Sequence, residues 1–416
     1  GWVTHAIWWH LYPLGFVGAF PAENGEARAD EHRLRRIVPW FDHALKLGAS
    51  GIALGPIFAS QTHGYDTVDY FAIDQRLGDD SDFDYLIAEA RGRGLRVLLD
   101  GVFNHVSATF SHPEWFRHES DGTLGTFEGH AGLIALDHDN SRVQDHVVDV
   151  MRHWLDRGAN GWRLDAAYAV PADFWSSVIP RVRQTHPEAW FVGEVIHGDY
   201  PSIVADDNLD SVTQYELWKA IWSSLNDQNP HELAWALTRH DGFVEAFIPT
   251  TFLGNHDVTR LASRLVEPRQ REQALVILLT VAGTPMIYAG DEYAFRGIKE
   301  DRVGGDDAIR PEFSSDGRPS PSADLTTFRL HQELIGLRRR HAWLHAARTT
   351  MLEVGHRHLV YESRDSDRAV LVELNFGMDP VTPAAVSGRG EVVARSSDAP
   401  PSGELPPFGW RVTEIA

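Results

Sequence analysis

The stretch Arg96-Val-Leu-Leu-Asp100-Gly-Val-Phe-Asn104-His105 begins as a short β-patterned run and ends in an acid, an amide and an imidazole. Short apolar runs of this kind recur at 6–10, 51–54, 96–99, 161–164, 190–193, 211–213, 251–253 and 286–288. Longer amphipathic stretches, at 32–47, 82–94, 141–157 and 174–185, lie between them. Eight strands alternating with helices predict an α/β fold whose parallel sheet closes into a (β/α)8 TIM barrel. Ser141 is expected to cap the helix that follows it, and Gly158 to end that helix in the left-handed conformation.

Two regions depart from the strand–helix rhythm. Residues 106–140 carry aromatics, four His and many turn residues without a helical period, and read as a small domain inserted after the third strand. Residues 295–326, after the eighth strand, are irregular and rich in Gly, Asp and Arg. From residue 349 short β-patterned runs at 358–362, 369–375, 391–394 and 409–413 alternate with Gly/Pro/Ser turns, predicting a C-terminal antiparallel β-sandwich. The expected division is therefore barrel at 1–105 and 141–348, insertion at 106–140, and β domain at 349–416.

Composition removes several function classes. A net charge of −21 lacks the basic footprint of nucleic-acid binding. No apolar run approaches the roughly 20 residues of a membrane span, and the longest, 274–282, reads as a buried helix. The absence of Cys excludes disulfides, thiolate metal sites and a cysteine nucleophile. The opening Gly1-Trp2-Val3 shows no basic segment followed by an apolar core, so a cytoplasmic location is expected.

Chemistry in such a barrel belongs at the C-terminal strand ends. Polar clusters stand at four of them: Asp100 to His105, Arg163-Leu-Asp165, Gly193-Glu194-Val195 and Asn255-His256-Asp257. Strands often end in Asp or Asn for turn reasons alone. Four carboxylates, two His and an Arg on one face are a different matter, because crowded acids repel one another. Paired carboxylates suit glycoside hydrolysis, whose transition state is cationic. Residues two apart on a strand point the same way, so Arg163 and Asp165 share a side, and the Arg holds the Asp ionised. Asp165 is the expected nucleophile and Glu194 the expected acid/base, about 5–5.5 Å apart for a retaining mechanism.

The segments DGVFNH (100–105), GWRLD (161–165), GEV (193–195) and FLGNHD (252–257), in this order, resemble the four sequence regions of the α-amylase family, glycoside hydrolase family 13. His63-Gly-Tyr65-Asp66 and Gly283-Thr-Pro-Met-Ile-Tyr288 strengthen the resemblance, which runs from about Trp8 to Arg340. It implies retaining chemistry on α-glucosidic bonds, with Asp257 as a third acid gripping the sugar ring. His105 and His256 would hydrogen-bond that sugar, Tyr65 would stack on it, and Arg163 would orient Asp165. Asp100 would be a hydrogen-bond hub, and Arg310 resembles the family's late substrate-proximal Arg.

The departures from the family pattern shape the remaining expectations. The family's frequent calcium-binding His, four residues beyond the nucleophile, is Ala169 here. Asn104 and Asn140 alone do not make the six-to-eight-oxygen shell calcium takes, so no metal or other cofactor is expected. Thr62, three residues before Tyr65, stands where exo-acting members often carry an acid. The wording is most similar to the neopullulanase and cyclomaltodextrinase branch, though without that branch's N-terminal domain. The implied reaction is hydrolysis of α-glucosidic bonds, α-1,4 with α-1,6 as a further option, in malto-oligosaccharides, cyclodextrins or related soluble α-glucans, by a monomer or homodimer. The alternatives are a transglycosylase using the same residues, with Tyr168, Ala169, Val195 and His197 on the acceptor side, and a non-catalytic sugar-binding barrel. Among the 14 Trp, Trp40, Trp154 and Trp235 read as core, while Trp115 and Trp218 are cleft candidates. Asp79-Asp80 and Asp206-Asp207 read as turns.

Overall fold

Six parallel strands lie side by side in the order Ser211–Val212, Trp190–Gly193, Gly161–Leu164, Arg96–Gly101, Gly51–Leu54 and Trp8–Leu11. A further parallel pair is formed by Thr250–Phe252 and Thr284–Tyr288. With the helices between them these eight strands make a (β/α)8 TIM barrel, followed by a C-terminal antiparallel β domain. The computed structural model describes residues 1–20, 32–385 and 390–415. It divides into two compact units, 9–213 with 301–321, and 1–8 with 214–300 and 322–416.

In the first unit the strands are apolar because both faces are covered: all six residues of Trp190–Gly193 and Ser211–Val212 are buried. The helix Ser141–Asp156 buries Val143, Val147, Val150, Met151 and Trp154 along one stripe. Its cap is Asn140, not Ser141. The Asn140 backbone is extended and its Oδ1 accepts the Arg142 N–H at 3.0 Å, which makes Ser141 the first helical residue. Gly158 follows at φ +112°, as expected of a left-handed stop. Asp79 and Asp82 form a reciprocal capping box on Asp80–Gly92, so the first acidic pair is a helix start.

The insertion holds a three-stranded antiparallel sheet, His105–Ser107, His130–Ala135 and Thr126–Phe127. Trp115 belongs to its packing, stacked on His112 at 4.0 Å between centroids. An additional hairpin, Phe58–Ser60 with Thr67–Ile73, follows the second barrel strand and carries His63–Asp66 in its loop.

In the second unit the helix Gln270–Thr280 is buried along most of its length, as the run 274–282 foretells. The buried Arg338 donates to the carbonyls of Leu279, in the last turn of that helix, and of Val281 and Gly283 just past it, and satisfies acceptors left open at the helix end. The β domain is a five-stranded sheet whose first strand, Arg348–Val354, lies at its edge. That strand is largely polar and carries a bulge at Met351/Glu353, so its sequence shows no β alternation. Trp235 is 60% exposed, contrary to the core reading. The helix His231–Val244 buries Leu233, Ala236, Leu237 and His240, which leaves Trp235 outside with the Arg239 guanidinium over its ring. Among the described residues no helix is long and apolar enough to cross a membrane.

Asp206 and Asp207 end the helix Tyr200–Asp207 instead of forming a separate turn, and Asp207 is buried. Burial, with the charge of Asp206, pushes the Asp207 carboxyl up to about 7. Its folded value thus lies above the unfolded value of about 3.9. The protonated form fits the fold, so stability is full below about pH 4 and is lost as pH rises through 7. Asp207→Asn is expected to raise the melting temperature above pH 7 and to leave it unchanged at pH 4. Thermal melts across pH check this, and equal effects at both pH values would contradict it.

Candidate active site

Parallel register builds the centre of the site. Asp100 pairs with Arg163, and Arg163 with Val192, across three adjacent strands. Asp165 lies two residues beyond Arg163, on the same side. The ladder continues past the strand ends, where Asp165 N–H donates to the Gly101 carbonyl and Glu194 N–H to Leu164. Asp165 and Glu194 therefore emerge at the same level. Gly193, just before Glu194, is tightly packed: a Cβ there would stand 2.7 Å from Leu209 and 3.1 Å from the Ala167 side chain.

One guanidinium joins the acids. Arg163 Nη1 donates to Asp100 Oδ1 at 2.9 Å, Asp100 Oδ2 at 3.0 Å and Asp165 Oδ1 at 2.9 Å. Its Nη2 lies 3.0 Å from Glu194 Oε1. Glu194 Oε2 accepts the Ala166 N–H at 2.8 Å. All three carboxylates are buried. Burial alone would lower the guanidinium, but Asp100, Glu194, Tyr65 and Asp165 outweigh it and hold Arg163 firmly charged. Burial pushes Asp100 up to about 6, against the opposing pull of Arg163 and the Tyr65 hydroxyl.

Tyr65 Oη donates to Asp100 Oδ2 at 3.0 Å, which fixes its ring beside the acids. His105 Nε2 is 3.1 Å from the Tyr65 carbonyl and its Nδ1 is 3.0 Å from Asn104 Nδ2. Burial lowers His105 to about 4, leaving a neutral imidazole at neutral pH. Arg310 stacks its guanidinium 4.5 Å from the Tyr12 ring centroid. Tyr12 Oη donates to the His63 carbonyl at 2.6 Å, so Arg310 adjoins the loop that carries Tyr65.

The first unit thus brings together six of the nine expected residues, Tyr65, Asp100, His105, Arg163, Asp165 and Glu194, and sets Arg310 beside their loop. His256 and Asp257 belong to the second unit, just past the strand Thr250–Phe252. There His256 Nε2 lies 3.0 Å from Asp257 Oδ2, and Asn255 Oδ1 accepts the Asp257 N–H at 2.9 Å. His256 is buried, while the Asp257 side chain is a third exposed.

The residues that sequence reasoning missed are Phe127, Glu128 and Ala166. Phe127 stacks on His105 at 4.4 Å and 16°. Glu128 accepts the Tyr168 hydroxyl at 2.9 Å. The available signal was Glu128-Gly129, a two-residue turn between β-patterned residues. Among the described residues one set of possible metal donors stands out, His32, Asp79 and Asp82, with one atom each mutually within 4.8 Å. Asp79 and Asp82 already cap the helix Asp80–Gly92, and Asp82 pairs with Arg35 and His32, so their geometry has a structural cause.

Residues 33–124 and 108–349 match the family model described as alpha amylase, catalytic domain. The chain belongs to the α-amylase family. A cyclomaltodextrinase from a Bacillus species is 28% identical over 90% of this chain and 73% of its own length. Neopullulanase 2 from Thermoactinomyces vulgaris is 28% identical over 82% of the chain and 64% of its own. The α-amylase-family fold is shared with the cyclic α-maltosyl-(1→6)-maltose hydrolase of Arthrobacter globiformis, at a TM-score of 0.83, 23% identity and full coverage of both chains. Across curated relatives the chain spans from 56% to 73% of their lengths.

Proposed function

We propose that this α-amylase-family protein is a retaining glycoside hydrolase acting on α-glucosidic bonds, α-1,4 bonds first among them, of soluble malto-oligosaccharides and cyclodextrins. The observation that carries the reading is the Arg163 fork, which holds Asp165 and Glu194 on one cation. Asp165 attacks the anomeric carbon while the bond to the leaving oxygen breaks, and that oxygen takes a proton from Glu194. Glu194 then accepts a proton from water, and the resulting hydroxyl displaces Asp165 from the sugar. Asp257 is assigned the third acid and His105 and His256 the sugar hydrogen bonds, on the resemblance of their segments to the family's regions. Tyr65 and Arg310 are assigned to the same sugar's surroundings. The names of the relatives, cyclomaltodextrinase and neopullulanase, support the substrate class. The reading uses no metal ion, since Ala169 offers no side-chain ligand and the Asn140 oxygen serves as a helix cap.

Proton NMR of maltotriose and β-cyclodextrin digests tests the proposal. The first product to accumulate is expected to be the α-anomer, with chains shorter than the substrate. A β-anomer would overturn retention. Abundant products longer than the substrate would move the assignment to a transglycosylase.

A further inference from the structure

We propose that Glu128, at the tip of the inserted hairpin, is a positioning residue for Glu194, acting through Tyr168 and the turn that starts at Ala166. The inference rests on the reading of Glu194 as acid/base. Ala166 is left-handed, at φ +45° and ψ +40°, a conformation uncommon for a residue with a Cβ. From it the chain leaves the strand and doubles back through Ala167–Ala169, with Ala169 N–H donating to the Ala166 carbonyl at 2.9 Å. The Ala166 N–H is meanwhile spent on Glu194 Oε2. A strained residue at a functional site persists only where its surroundings hold it.

Two surroundings do so here. On one side Ala167 packs closely against Gly193, the residue before Glu194: a Cβ on the glycine would lie only 3.1 Å from the Ala167 side chain. On the other side Tyr168 Oη donates to Glu128 Oε1, across 40 residues of sequence. Glu128 is itself fixed. Phe127 pairs with His130, so Glu128-Gly129 is a two-residue hairpin turn, at φ +48° and +79°, the signs a type I′ turn requires. Phe127 anchors the hairpin by stacking on His105. Burial, reinforced by Glu128, raises the Tyr168 hydroxyl, which keeps it a donor. The chain of contacts runs Glu128, Tyr168, turn, Ala166 N–H, Glu194.

A group that positions the acid matters in proportion to how much the leaving group needs a proton. Glu128→Ala and Tyr168→Phe are each expected to lower kcat/KM on maltotriose by about tenfold. Their kcat/KM on α-maltosyl fluoride, whose leaving group needs far less protonation, should change by less than about twofold. Glu128→Gln keeps an accepting oxygen and should retain the maltotriose rate. Glu194→Gln serves as the reference and should show the same substrate dependence more strongly. Equal losses on both substrates, or none on either, would overturn the role of Glu128. A Glu194→Gln variant without leaving-group dependence would instead overturn the acid/base assignment beneath it. Glu128 is exposed, and Tyr168→Phe removes only a hydroxyl, so folding is not at issue in either variant.

Discussion

Replacing Asp165 by Asn is expected to lower kcat on malto-oligosaccharides by on the order of 10^4- to 10^6-fold, or about 5–8 kcal/mol of barrier. The amide is nearly isosteric but carries no charge to attack the anomeric carbon. Its carbonyl oxygen still accepts from Arg163 Nη1, so the loss reads the nucleophile and not the geometry. The same substitution should leave the melting temperature unchanged or raise it. Three buried carboxylates share one guanidinium in the native protein, and removing one charge relieves repulsion while Asp100 and Glu194 keep the cation paired. Rising stability with vanishing turnover is the mark of an active-site acid held against its own preference. A variant that retains more than about a hundredth of native turnover, with the same anomer formed first, would place the nucleophile elsewhere.

The barrel was legible because its strands are covered on both faces. Strands buried in this way read as short apolar runs, and 51–54, 161–164 and 190–193 coincide with the observed strands to the residue. The acids were legible for the opposite reason, since each interrupts an apolar run at its C-terminal end, where a polar group needs a purpose. Glu128 offered no such contrast. It is an exposed acid in a turn, and nothing local separates it from any solvated glutamate; only the pairing of Phe127 with His130 aims it at Tyr168. Ala166 is the least legible of all, because the left-handed conformation is imposed by tertiary contacts on a residue with no preference for it.

Burial errors had the same root. Trp235 looked like core by residue type, yet its place on the helix is set by Leu233, Ala236, Leu237 and His240, which take the inward stripe. Asp207 looked like a turn residue, yet it is the last residue of a helix and the fold closes over it. Residue type alone predicts neither outcome, because each depends on which neighbours claim the interior first.

Arg163→Met should be the single change at the site that costs the most stability. It leaves Asp100, Asp165 and Glu194 buried without the cation that joins them, and breaking a buried pair in this way costs about 3–5 kcal/mol. Turnover should fall by at least about a thousandfold, since both reacting carboxylates lose their orientation. The pH dependence separates this cause from simple loss of packing. Asp100 already sits near 6 with the guanidinium present, and without it the carboxyl rises further. A raised carboxyl contributes stability that is complete below its unfolded value of about 3.9 and disappears as pH climbs through the folded value. The deficit in melting temperature should therefore be wide at pH 8 and narrow toward pH 5. Adding Asp100→Asn to the variant should recover part of the pH 8 deficit, because it removes a buried charge that has lost its partner. Arg163→Lys should recover stability but little activity, since a single ammonium cannot reproduce the two-nitrogen fork. A deficit that stays constant from pH 5 to pH 8 would mean that Arg163 acts through packing, and the electrostatic account of how Asp165 and Glu194 are held together would fail with it.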